Sequence, residues 1–456
     1  MTILVFRQAC LAVAVVAAFG CGGGKSLFGD SIEPGEWLPG GDTTNTRILG
    51  ANAFLMPAQN LSAEHEIEFY GGNAFFNQGW VVSPASTEAR DGLGPLFNAR
   101  SCSGCHFRDG KGAPPDDGDG PFVGLLLQLS VPGPDGPVPD PIYGAQLQDQ
   151  ASPDVPVEAL PRVEWSEESH VYPDGSPYSL IKPTFTIHSP SHGPIATDLM
   201  FSPRVAPHMI GLGLLEAIPV ERLIELASQG QGRIHWLETE EGKVPGRFGW
   251  KATTPDVMVQ SAVAFAGDMG LTSRLRFTDD CTETQLDCID QIDGGTPEVT
   301  DRILDRIVLY SQTVAVPARR DAENPDILQG KRIFNDIGCT ACHTPSHTTG
   351  VGAIDELSDQ LIWPYTDLLL HDMGDRLADR RPVGAASGSD WKTPPLWGLG
   401  LMEAAAGHSR YLHDGRARNI EEAILWHGGE ADDARLAFMK LGRSQRTLVL
   451  KFVEDL

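Results

Sequence analysis

Ser101-Cys102-Ser103-Gly104-Cys105-His106 decides how this chain is read. Two cysteines separated by two residues can take two thioether bonds from one haem. The histidine that follows can ligate the iron, so the run is a c-type haem attachment signal. It recurs as Gly338-Cys339-Thr340-Ala341-Cys342-His343. Taken alone, Cys102 and Cys105 also fit a thiol–disulfide couple. A zinc site fits less well, because each cluster offers three ligands and the clusters stand far apart in the chain. Two covalently bound haem c groups, with His106 and His343 as iron ligands, are therefore expected.

The chain has 456 residues and a mass of 49.2 kDa, enough for two or three domains. Its 50 glycines and 34 prolines imply much loop. The formal net charge of -26 argues against nucleic acid as a partner. It suits a solvated acidic surface or a basic redox partner. The first twenty residues resemble an export signal, with Arg7 as the positive end and Leu11 to Phe19 as the apolar stretch. Ala18-Phe19-Gly20-Cys21 resembles a bacterial lipoprotein processing site, which would make Cys21 the lipidated first residue of the mature protein. Phe19 is an unusual occupant of that box, and ordinary cleavage nearby is the alternative. No later stretch reaches the roughly 20 apolar residues that span a bilayer. The expected place is the bacterial periplasm, on an outer-membrane lipid anchor.

Along the chain we expect a signal peptide at 1–20 and a lipoprotein tether at 21–50. An N-terminal haem domain with large loop insertions at 51–318 and a C-terminal haem domain at 319–456 follow. The fold class is mainly α, two cytochrome c-like domains with long loops and minor β in the first. Helices are expected to start at Leu61-Ser62-Ala63-Glu64, to start near Pro207 within the apolar run 204–217, and to occupy 220–227, 255–266, 299–314, 420–427 and 434–455. Short strands are expected at Val163–Trp165 and Thr184–Ile187. Cys281 and Cys288, which enclose six residues in an acidic loop of an exported chain, are expected to form a disulfide.

The two haem motifs, Trp391-Lys-Thr-Pro-Pro-Leu396 and Tyr411-Leu-His-Asp-Gly415 resemble the dihaem cytochrome c peroxidase/MauG superfamily. The closer resemblance is to its dihaem oxidoreductase branch, sometimes labelled thiol oxidoreductases, a label these motifs do not support chemically. The runs carrying it are Gly92–Gly112, Ser202–Pro219, Gly246–Gly270, Leu370–Asp379 and Trp391–Glu430, within residues 85–456.

The resemblance implies that peroxide or another oxidant reacts at the N-terminal haem and that electrons pass through the C-terminal one. It places a tryptophan between them, with a glutamine ten positions on and an acidic residue beyond. Trp250 and Gln260 match that spacing. Asp268-Met269-Gly270 stands where the superfamily has glutamate before Met-Gly, two positions early. Asp268 would move the proton of peroxide, Gln260 would orient it and Trp250 would carry electrons. The plainer alternatives are a buried aromatic anchor for Trp250 and a helix-end cap for Asp268. Arg204, in a run resembling the distal-pocket segment, would meet a haem propionate or peroxide oxygen, or form a structural salt bridge.

The superfamily supplies the sixth ligand of the second haem fourteen residues after the histidine of the His413-Asp414-Gly415 turn. Here that position is His427, in place of methionine or tyrosine. Met373 and His408 compete for the role. His188, His192 and His208 are candidates at the first haem, alongside an open iron. Calcium stays open: Thr393 matches part of the superfamily's site, but the asparagine expected from the N-terminal half is not evident. The expected function is a peroxidase-like dihaem oxidoreductase; the alternative is a dihaem electron-transfer cytochrome. Its partners would be a small redox protein or quinol-linked donor, peroxide or another small substrate, and a membrane met through the lipid.

Overall fold

The computed structural model describes residues 31–456 apart from Gln231, Glu241, Asp279 and Asp293. The expected leader and the lipidation site Cys21 lie outside the described residues. Among the described residues, twelve α-helices and thirteen strands follow one another, and the strands form sheets of two or three members. The fold leans to helix, at 32%, but its 19% strand exceeds the minor β content expected.

Most helices lie where side-chain period and caps put them. The Ser62 hydroxyl accepts the His65 N–H and starts the helix Ala63–Asn77. Asp256 accepts the Val259 N–H at 2.7 Å and starts Val257–Met269, which Gly270 ends with a φ of 63°. The helix Asp301–Thr313 buries Ile303, Leu304, Ile307 and Val308 on one face. Its neighbour Ala63–Asn77 sets Phe69 and Phe76 against Tyr310. Near the C-terminus, Asp432–Lys440 and Arg443–Asp455 are two helices where one was expected, parted at Leu441 and Gly442.

One further expectation fails for a physical reason, and another is borne out but extends further. The stretch from near Pro207 to Ala217 is not one continuous helix. Met200–Val205 is a strand paired antiparallel with Leu125–Ser130, and only Leu212–Glu216 is helical. Pro207 lacks the N–H and Gly211 takes a φ of 71°, so the backbone turns before the helix starts. The two short strands are parts of one long hairpin, Leu160–Val171 with Pro177–His188, turning at Pro173-Asp174-Gly175. Its tip lies on the C-terminal helices: the Tyr172 hydroxyl donates to Glu421 at 2.8 Å, and Arg446 stands 3.8 Å over the Tyr172 ring.

The segment expected as a tether enters the folded body at Glu36. Arg319 spans Glu36 at 2.6 Å and Asp455 at 2.9 Å. Lys331 and the Tyr365 hydroxyl also donate to Glu36, at 2.6 and 2.9 Å. All of these groups are buried. Burial opposes ionisation of Glu36, but the charges of Arg319 and Lys331 outweigh it and hold its pKa below the ordinary 4.5. Glu36→Ala would leave two buried cations short of their anion, a loss of about 3–5 kcal/mol. Thermal unfolding should show it. Because the folded pKa is depressed, this stabilisation is present above about pH 4.5 and is lost as pH falls through the lowered value. Glu36→Gln should therefore be the less stable protein at neutral pH and lose less on acidification than the parent.

Candidate functional site

Both attachment motifs are built alike. Cys102–Cys105 is a single helical turn, with His106 just past its end. The Nδ1–H of His106 donates to the Pro207 carbonyl at 2.7 Å. Cys339–Ala341 is a 3-10 turn, and the Nδ1–H of His343 donates to the Tyr365 carbonyl at 3.0 Å. In each case the bond turns the ring so that Nε2, without its proton, is the free nitrogen. Burial pushes both imidazoles down to about 4, so both are neutral, as iron ligands must be. Cys102, Cys105, Cys339 and Cys342 are unpaired thiols, whereas Cys281 and Cys288 are bonded to each other. This donor set fits two haems held through thioether bonds.

The run Arg204–Pro207 organises the space between the motifs. The Pro207 carbonyl holds His106 from behind. The Val205 carbonyl accepts the Trp250 indole N–H at 2.8 Å, and the Ala206 carbonyl accepts the Gly112 N–H. Arg204 is buried, bonded to the Ser202 hydroxyl and 3.8 Å from Asp379. It faces Trp391, 5.9 Å to the ring centroid.

Trp250 packs against both the C-terminal core and the core of the strand pair. Its backbone carbonyl accepts the Lys392 N–H, the Lys111 ammonium stands 5.0 Å from its ring, and His413 meets it edge-on at 6.4 Å. His413 itself stacks on Trp391 at 3.8 Å. Gly415 has a φ of 73°, and a Cβ there would stand 2.6 Å from Pro114. Glycine thus lets the His413 turn close on the loop that follows the first motif.

Asp268 lies beside the first motif. Its carbonyl accepts the N–H groups of Asn98 and Ala99, and the backbones of Gly94 and Gly270 touch where any Cβ would clash. Its carboxyl accepts from Gln146 at 2.8 Å through Oδ1, while Oδ2 has no hydrogen bond among the described residues. Burial raises its pKa to about 6, moderated by that bond. Both Cys102 and Cys105 feel its charge. Gln260 is on the same helix but eight residues earlier, about 12 Å along the axis. Its Oε1 accepts the Thr254 hydroxyl at 2.8 Å.

At the second motif, His427 ends the helix Ile420–Trp426. Its Nδ1–H donates to the Ala423 carbonyl at 2.6 Å, leaving Nε2 free. After burial, His427 is the strongest influence on the pKa of His343, which places the two imidazoles near each other. His408 has both ring nitrogens engaged, with the Lys111 carbonyl and the Arg410 N–H. Met373 packs beside the same core. Sequence patterns did not point to His371, whose nitrogens meet Asp367 at 2.9 Å and Glu430 at 2.8 Å. Burial lowers its pKa, but the bonds to Asp367 and Cys342 prevail and raise it to about 11.

Of the candidates at the first haem, His188 is engaged with Asp119 and Ser189 at the end of the hairpin. His192 Nε2 and His208 Nδ1 are buried without hydrogen-bond partners. His208 follows Pro207 and so belongs to the segment behind His106. Thr393 spends its carbonyl on the Thr366 hydroxyl at 2.6 Å. Among the described residues no group of three or more His, Cys, Asp or Glu is placed to hold a metal ion, and no helix is long and apolar enough to cross a membrane.

Residues 38–121 and 137–456 match a family model described as "Di-haem oxidoreductase, putative peroxidase". The chain belongs to this dihaem oxidoreductase family. No curated protein and no solved structure matches it.

Proposed function

We propose that this chain is a c-type dihaem peroxidase. It reduces hydrogen peroxide, or directs its oxidising power to a small substrate, at the haem of Cys102, Cys105 and His106. It takes up electrons at the haem of Cys339, Cys342 and His343. The two haems would occupy cytochrome c-like domains at 51–318 and 319–456. The asymmetry between the motifs carries the assignment: a carboxyl with a pKa near 6 stands by the first, and a second neutral imidazole stands by the second.

A haem held by His106 and the two cysteines would supply an open coordination position and the electrons for cleavage of the O–O bond. The protein must move protons, since two protons and two electrons convert one peroxide into two waters. Asp268 suits this task, with a pKa close to the working pH and a free Oδ2. Gln146 holds it in place through Oδ1. Gln260, tied to Thr254, supports the start of the helix at a distance. His427 would close the second iron, directing peroxide to the first. Trp250, fixed through its indole N–H, would carry electrons between the haems. Electrons would come from a small redox protein or a quinol-linked donor in the periplasm, with the enzyme held to the outer membrane through Cys21.

Once intact mass has shown two haems, stopped-flow mixing with peroxide tests the roles. Asp268→Asn should keep the spectrum and slow peroxide reduction by about 10². In the parent, kcat/KM for peroxide should fall as pH drops below about 6, where Asp268 takes up its proton, and the variant should lose that limb. An unchanged rate removes Asp268 from the mechanism. His427→Ala should alter the optical and magnetic signals of the second haem alone. A change at the first haem instead would reverse the assignment.

A further inference from the structure

A cavity of about 310 Å³ lies where the strands Pro177–His188 and Met200–Val205 meet the turns at 378–380 and 413–416. It belongs to neither attachment motif: none of Cys102–His106, Cys339–His343 or His427 lines it. One wall is apolar, built from Phe185, Leu199, Met200 and Phe201, all half-buried. The floor is polar, and most of it is already matched. Asp414 accepts from Arg416 through both carboxylate oxygens, and Asp379 is taken by Lys251 and the Ser202 hydroxyl. His413 is the exception. It is 3% exposed, and neither ring nitrogen has a hydrogen bond among the described residues; Nε2 stands 3.7 Å from Asp414. Burial pushes its pKa down to about 3, so the ring is neutral, with one N–H to donate and one nitrogen to accept.

An apolar cavity with an unmatched polar group on its floor has the form of a small-molecule site, and these features set the ligand. A hydroxyl both donates and accepts, so it answers either nitrogen of a neutral imidazole. An aromatic body suits the wall, where Phe185 and Phe201 offer ring faces and edges. Arg380, exposed and without a side-chain hydrogen bond or ion pair among the described residues, disfavours a cationic substituent. The volume lies at the small end of ligand cavities and suits a single ring. His413 also joins the cavity to the space between the motifs. It stacks on Trp391 with ring centroids 3.8 Å apart and meets Trp250 edge-on at 6.4 Å. A ligand bonded to His413 is therefore one ring removed from Trp250.

We infer that this cavity binds a small hydroquinone or related phenol through a hydrogen bond to His413, and that the bound molecule gives its electrons to Trp250 by way of His413. The inference rests on the peroxidase reading, which supplies the oxidant, and it names a substrate class for that reading. The sum balances. One hydroquinone loses two electrons and two protons, its two O–H bonds break, and it becomes the quinone. One peroxide gains them, its O–O bond breaks and two new O–H bonds form, giving two waters. The phenolic protons leave through His413 to solvent.

The test uses the full-length protein loaded with both haems, as intact mass establishes. Fluorine NMR without peroxide measures the binding of para-fluorophenol, with para-fluoroanisole, which lacks the hydroxyl hydrogen, as its control. The phenol should bind saturably, be displaced by hydroquinone, and bind about tenfold more tightly than the anisole, the weight of one ordinary hydrogen bond. His413→Phe, which keeps a ring against Trp391, should weaken the phenol by about tenfold and leave the anisole near its parent affinity. Met200→Trp, which fills the cavity from its wall, should abolish binding of both probes, and it decides the matter if His413→Phe does not fold. With peroxide added, the KM for hydroquinone should rise in both variants. Absence of saturable binding would overturn the inference. So would equal binding of the two probes, binding indifferent to both variants, or hydroquinone turnover indifferent to both. Peroxide mixed with the half-reduced parent, without any phenol, tests the peroxidase reading separately. If peroxide oxidises the haems and the phenol does not bind, this inference falls alone. If the phenol binds and the haems ignore peroxide, the peroxidase reading falls and takes the electron transfer proposed here with it.

Discussion

Everything at the two motifs depends on a hydrogen bond from an imidazole Nδ1–H to a backbone carbonyl far away in the chain. Pro207 provides it for His106 at 2.7 Å and Tyr365 for His343 at 3.0 Å. The bond fixes the tautomer and aims the other nitrogen, so neither histidine needs a charged neighbour to become a ligand. It also ties each motif to the segment that shapes its surroundings. Pro207 brings Arg204 and Val205 with it, and Val205 holds Trp250. Tyr365 brings the Glu36–Arg319–Asp455 network to the second motif. Function and stability share these anchors.

The differences between the motifs then matter more than their likeness. Near the first, burial acts on a carboxyl that can exchange a proton near neutral pH. Near the second, burial keeps paired imidazoles neutral. Between them lie aromatic rings and cations, with Trp391 stacked on His413 and His413 edge-on to Trp250.

What the sequence made legible was local. The cysteine pairs, the Ser62 and Asp256 caps and the apolar stripe of 301–313 are all set by neighbours a few residues away. The strand Met200–Val205 was hidden because its partner, Leu125–Ser130, lies some seventy positions earlier, and the apolar residues after it mimic a helix. The long hairpin did carry a turn signal at Pro173-Asp174-Gly175, but its charged outward face masked the strand alternation. Gln260 matches the superfamily spacing from Trp250 and Asp268 departs from it by two positions, and only the structure shows that Gln260 is tied to Thr254 and Asp268 to Gln146.

The most direct measurement is electron paramagnetic resonance of the fully loaded protein, in its oxidised and half-reduced forms, before and after one equivalent of hydrogen peroxide. The account expects a bis-imidazole low-spin signal from the second haem that peroxide does not attack directly. It expects the signal of the first haem to be consumed in at least one of the two forms. If peroxide leaves both signals unchanged in both forms, or attacks the bis-imidazole signal first, the division of labour between the haems is wrong. The protein would then be a carrier of electrons, or would react at the other end.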